Sequence, residues 1–179
     1  MFFFEKVSRV LDKYIIHFKG LRQGKHLFEF VVENAFFEQF PEGEITKGTL
    51  KVSVLLQKHS SMLELSFSII GNVEIPCDRC LKPMSLPLTY EGDLVVKFSQ
   101  ITDDSSDELW VLSENEHELK LAHYIYESIC LSMPIQRYHG MEGTDKDACD
   151  KNMLGRISQV DETKRKTDPR WDKLSELLS

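Results

Sequence analysis

Cys77 and Cys80 form a C-x-x-C pair, the feature of this chain whose residue type and spacing speak most directly of chemistry. A turn of this kind presents two thiolates with little strain, and zinc is held tetrahedrally by four such soft or borderline ligands. Two more ligands must come from elsewhere, and the downstream candidates are Cys130, His139 and Cys149. Cys130 lies inside a helical apolar pattern beside Ile129, where a cysteine behaves as a small packing hydrophobe. His139 and Cys149 flank a polar loop just past that helix, from which both can reach the turn. Spacing therefore admits a zinc site of Cys77, Cys80, His139 and Cys149.

Two other readings stand beside it. A redox-active dithiol needs a helix N-terminus or a nearby positive charge to lower a thiol pKa. Arg79 offers the charge, but the pair lies on a turn between strands. Alternatively, the two thiols only pack. Four protein ligands would leave zinc no open position, so such a site would be structural. The chain has no Gly-rich phosphate loop, no G-x-S-x-G and no H-E-x-x-H. His17, His26, His59, His117 and His123 are scattered without matching carboxylates. No catalytic residue is assigned, and the expectation is a protein that acts by binding.

The elements that position the cysteines are mainly strands. Leu63, Leu65, Phe67 and Ile69 alternate with Glu64, Ser66 and Ser68, and the alternation runs on through Val73 and Ile75 to Cys77. Period two over that length sets one face on a core and the other toward water. Leu50, Val52, Val54 and Leu56 alternate in the same way, with Leu55 the exception, and His59-Ser60-Ser61 suits a hairpin turn between the two runs. After the C-x-x-C turn the chain returns as Met84–Tyr90 and Leu94–Phe98, where Pro87 argues for an edge or a bulge. Upstream, Tyr14–Phe18 and His26–Val32 read as strand–turn–strand, and Asn34–Phe40 as a short helix packed through Phe36, Phe37 and Phe40.

The best helical pattern begins near Glu116–Glu118, with Leu121, Ala122, Ile125, Ile129 and Met133 on one face, and Pro134 stops it. The fold class expected is α+β: a mostly antiparallel sheet with one long helix packed on it, a zinc-knuckle-like hairpin and a C-terminal tail helix. Residues 1–140 read as a single domain and 141–179 as a flexible linker and a short terminal helix. That helix opens at Asp168-Pro169, with Trp171, Leu174, Leu177 and Leu178 as its stripe. Thr102–Glu108 reads as a solvated acidic loop.

Hydrophobic residues make up 41% and charged residues 28% of the 179, which suits a packed core. Apolar runs fall short of a bilayer span, and the N-terminus lacks a basic n-region and a cleavage site, so a cytoplasmic protein is expected. Acidic residues outnumber basic ones 29 to 22, for a net charge of −7. That balance disfavours non-specific nucleic-acid binding and favours a basic protein partner, with Lys164–Lys166 the local basic exception.

Cys77-Asp78-Arg79-Cys80-Leu81 resembles the C-x-R-C-L signature of the YceD family, the large ribosomal RNA subunit accumulation proteins. Glu118–Leu121 leading into a helix, Leu131-Ser132-Met133-Pro134-Ile135, His139 followed by Cys149, and the ending Asp168-Pro169-Arg170-Trp171-Asp172-Lys173-Leu174 are similar to further family elements in the same order. The His–Cys spacing is longer here than members often have, with Gly140–Ala148 as the extra loop. The resemblance implies a non-catalytic role in accumulation or processing of large-subunit ribosomal RNA, in bacteria and plastids. It implies as partner a large-subunit ribosomal protein, an assembly factor or precursor rRNA. The alternatives are a thiol-disulfide redox protein working through Cys77 and Cys80, and an acidic adaptor unconnected with ribosomes.

Overall fold

The computed structural model describes residues 9–98, 109–113 and 115–163. The chain divides into two compact units. One comprises Met1–Ile75 and Ser85–Ile135, the other Pro76–Met84 and Gln136–Ser179.

The first is a sheet unit. Strands β2 (Gly24–Val32), β3 (Lys47–Lys58), β4 (Met62–Pro76), β5 (Pro83–Phe98) and β6 (Leu109–Leu112) form one sheet in that order. Antiparallel pairing joins β2 to β3 and β3 to β4, whereas β5 and β6 run parallel. The alternating residues behave as period two dictates: Leu50, Val52, Val54 and Leu56 of β3 and Leu63, Leu65, Phe67 and Ile69 of β4 are all buried. Gly71 takes the inward position after Ile69. A Cβ there would collide with the Thr49 carbonyl oxygen and with Leu50 Cα, so only glycine lets β3 and β4 approach here. Leu55, the exception to the alternation, points outward and is 39% exposed.

Among the described residues, only the last four of β5 pair with β6. Pro87 therefore lies where β5 borders β4 alone, and a missing N–H costs little on such an edge.

Two expectations, both about the helix after Glu116, are corrected, and one small strand pair joins distant segments. Strand β1 (Ile15–His17) precedes β2 across a turn, as the strand–turn–strand pattern implied, and pairs with β7 (Glu118–Lys120), with Ile16 opposite Leu119. The intervening loop is turned aside by Lys58, whose Nζ donates to the carbonyls of Phe18 at 2.9 Å, Lys19 at 3.2 Å and Leu21 at 2.9 Å. The helix expected from Glu116–Glu118 starts only at Ala122, because Leu119 is buried in the β1–β7 pair. It spans Ala122–Ser132, 11 residues, so the fold contains no single long helix among the described residues.

This helix, α2, follows α1 (Asn34–Phe37) in the chain. Leu121, Ala122, Ile125 and Ile129 are buried, as their spacing implies, and Met133 caps the end before Pro134. Tyr124 meets Phe67 of β4 with ring centroids 4.6 Å apart, and Tyr126 stacks on Phe40 at 3.9 Å, so α2 packs on the sheet.

In the second unit, helix α3 spans Lys151–Thr163, within the stretch read as linker. Met153, Leu154, Ile157 and Val160 recur along it at three- and four-residue spacing, a short apolar stripe interrupted by Gly155 and set among polar residues. The acidic loop at Thr102–Glu108, the basic cluster Lys164–Lys166 and the terminal helix from Asp168 lie outside the described residues. No helix among the described residues is long and apolar enough to cross a membrane.

Candidate metal centre

The second unit brings together Cys77, Cys80, His139 and Cys149. One ligand atom from each lies within 4.8 Å of all the others. Cys77 is 0%, Cys80 6%, His139 7% and Cys149 8% exposed. In a tetrahedron with Zn–S bonds of about 2.3 Å, neighbouring sulfurs are about 3.8 Å apart. The 3.5 Å between Cys80 Sγ and His139 Nδ1 already matches such an edge, so closing on an ion requires only a small contraction. All four cysteines are free thiols. Cys130 lies in α2 of the sheet unit, outside the cluster, where burial pushes its thiol up.

Local backbone geometry forms the first pair of ligands. The Leu81 N–H donates to the Cys77 carbonyl and the Cys77 N–H to the Lys82 carbonyl, both at 2.9 Å, closing the turn. Leu81 pays for that closure with a left-handed φ of 61°, an uncommon conformation for a leucine. The turn is joined to the segment before His139 by a reciprocal pair of bonds. The Asp78 N–H donates to the Arg137 carbonyl at 2.7 Å, and the Arg137 N–H donates to Asp78 Oδ2 at 2.6 Å. Arg79 lies 3.7 Å over the Tyr138 ring.

The second pair of ligands is set by the loop between them. Gly140, at φ 99°, donates its N–H to Thr144 Oγ1, and that hydroxyl donates to the Met141 carbonyl, both at 2.9 Å. The long His–Cys spacing is thus taken up by a loop that closes on itself. Asp150, next after Cys149, accepts the Asn152 N–H at the start of α3 and an ion pair from Lys82 Nζ at 3.1 Å. The Lys82 ammonium, then the helical amides, hold its carboxyl below the usual range.

The electrostatics fit a cation. Burial by itself raises a thiol, yet the backbone amides of Cys80, Arg79 and His139 outweigh it at Cys77, whose pKa is lowered. Burial opposes ionisation at Cys80 too, but the amides of Asp150 and Lys82, helped by the neighbouring thiols, bring it down to about 7. Cys149 is pushed up to about 11, first by burial and then by Cys80 and Cys77. The backbone amides thus favour thiolate at the C-x-x-C turn, whereas Cys149 needs a positive charge beside it.

The packing points the same way. Among the described residues of this unit, the buried side chains are Met84 and the four clustered residues. Among its described residues the unit has almost no hydrocarbon core, and the ligand set makes up most of what is buried. Small units without a sufficient core commonly depend on a metal or disulfides. Sequence spacing identified all four of these positions as candidates. It did not show the Asp78–Arg137 and Lys82–Asp150 contacts, for which charge signs alone carried no pairing signal.

Fold and site together define an α+β protein whose sheet unit carries a small second unit organised around a Cys₃His cluster able to hold a metal ion. The chain belongs to the YceD family, described as large ribosomal RNA subunit accumulation protein, whose family model matches residues 65–178. That span includes all four clustered residues. Comparison with the curated proteins and with the solved structures returned no significant match.

Proposed function

We propose that this protein is a non-catalytic accessory factor in large ribosomal subunit biogenesis, supporting accumulation or processing of large-subunit ribosomal RNA through binding in the cytoplasm. The observation that carries the reading is the family match over residues 65–178, which spans the whole Cys₃His unit. Cys77, Cys80, His139 and Cys149 would hold zinc, which when bound would cross-link the turn to the segment 139–149. The work of the protein's own residues is positional. Asp78, Arg137 and Asp150 orient the ligand-bearing segments, and burial keeps water from the thiols. The partner is a large-subunit ribosomal protein, an assembly factor or precursor rRNA, and the net charge of −7 favours a basic protein.

A thiol-disulfide function is the second reading, and the lowered thiol of Cys80 is the observation in its favour. Metal analysis separates the two. One zinc per chain, with no disulfide reductase activity in the loaded protein, supports the structural site. A metal-free protein that cycles a Cys77–Cys80 disulfide overturns it. The ribosomal reading is tested by tagged purification from growing cells in mild salt, with RNA and protein both identified. Enrichment of precursor large-subunit rRNA or large-subunit proteins is expected. Ribosomal material no higher than in a mock purification overturns the reading.

A further inference from the structure

The outward face of the sheet unit departs from the polar surface that an exposed antiparallel face usually carries. Leu27 of β2 and Leu55 of β3 stand directly opposite each other, 65% and 39% exposed. In the same cross-strand row Leu55 faces Ser66 of β4, and in the next row Ser53 faces Ser68. Small serines thus floor a trough of about 410 Å³, walled on one side by the two leucines. Glu91 and Asp93 of β5 line its other side. Neither carboxylate forms an ion pair among the described residues, although Glu29 and Glu74 of the sheet each have a lysine partner.

We infer that this trough is the docking face for a basic, amphipathic segment of a protein partner. Adjacent strands are about 4.8 Å apart, so the distance from β2 to β5 is roughly 14 Å, enough to receive a helix about 10–12 Å across or an extended segment. An occupant with apolar side chains on one flank and lysine or arginine on the other covers Leu27 and Leu55 while neutralising Glu91 and Asp93. Nucleic acid is disfavoured because its phosphates would face those two carboxylates. The identity of the partner as a ribosomal protein rests on the assembly reading above; the chemistry of the face does not.

The test uses the full chain carrying a photo-crosslinking benzoylphenylalanine at position 66, mixed with purified RNA-free large-subunit ribosomal proteins. The expected result is a crosslink to one basic protein, whose affinity for the chain falls about tenfold in E91K/D93K and about tenfold in L27S/L55S. All four positions are outward-facing, so circular dichroism of both variants should match the unsubstituted chain. Weakening by E91K/D93K should shrink as salt rises. Unchanged affinity in both double variants overturns the inference, as do crosslinks confined to a second copy of the chain or to precursor rRNA in a parallel reaction. Co-sedimentation with precursor particles separates the two levels. Unsubstituted protein that co-sediments, with both double variants doing so equally, overturns the docking face and leaves the assembly role. Unsubstituted protein that fails to co-sediment overturns the assembly role, while a crosslink lost in both variants still supports the face.

Discussion

Removing the metal from the Cys₃His cluster should unfold the second unit and leave the sheet unit standing. Apart from the contacts made by the ligand residues themselves, Pro76–Met84 is tied to the segment from Gln136 onward by three residue pairs: Asp78 with Arg137, Arg79 on Tyr138, and Lys82 with Asp150. Contacts of this kind at partly exposed sites are individually weak, far below what a structural metal supplies. Structural zinc in small domains contributes about 10 kcal/mol or more at neutral pH. The only other buried side chain among the unit's described residues is Met84, so among them nothing of comparable size replaces the ion. A quarter share per ligand puts the loss for Cys149→Ser at about 3 kcal/mol, or roughly a hundredfold in zinc affinity. The assay is amide hydrogen exchange on the zinc-loaded chain before and after a high-affinity chelator. Protection at Asp78, Leu81 and Arg137 should collapse, while Val52, Val54 and Leu65 in β3 and β4 exchange as before. Protection of Asp78, Leu81 and Arg137 that survives complete zinc removal would refute the reasoning, because the unit would then be held by something other than its ligands.

Three further outcomes are expected. Lys58→Met removes an ammonium that donates to three carbonyls, and should lower global stability by about 2 kcal/mol in urea unfolding. Gly71→Ala drives a methyl into the β3 backbone and should cost about 1–3 kcal/mol, seen as a lower melting temperature with zinc content unchanged. Tyr14 is buried, with its hydroxyl donating to the Val31 carbonyl at 3.0 Å, and burial, then Glu33, pushes its pKa up to about 12. Its ordinary value is 10.0, so between the two the unfolded chain loses the proton first. The stabilisation is therefore complete below about pH 10 and is lost as pH rises toward 12. Tyr14→Phe should lose about 1 kcal/mol at neutral pH and flatten that alkaline decline in denaturant titrations.

What the amino-acid sequence determined by itself was whatever a local period or a short spacing encodes. The alternation from Leu63 to Ile75 required β4 to bury one face, because successive strand side chains point to opposite sides. Cys77 and Cys80 declared a ligand pair because two residues are the length of the turn between them. Pro134 ended α2 because it has no N–H to give. Tertiary structure decided the rest. The β1–β7 pair joins Ile16 to Leu119 across most of the sheet unit, and three-residue strands carry too little pattern to announce a distant partner. Glu118–Lys120 reads equally well as the first turn of a helix until pairing with β1 claims it. Helix α3 was not beyond the sequence: Met153, Leu154, Ile157 and Val160 recur at helical spacing, but Gly155 and the polar residues around them made the stretch read as linker. Loop length alone could not place Cys149; that depended on Gly140 and Thr144 folding the intervening loop back on itself. The outward leucines became a surface only when register set Leu27 opposite Leu55, since a one-residue slip would have turned either one inward.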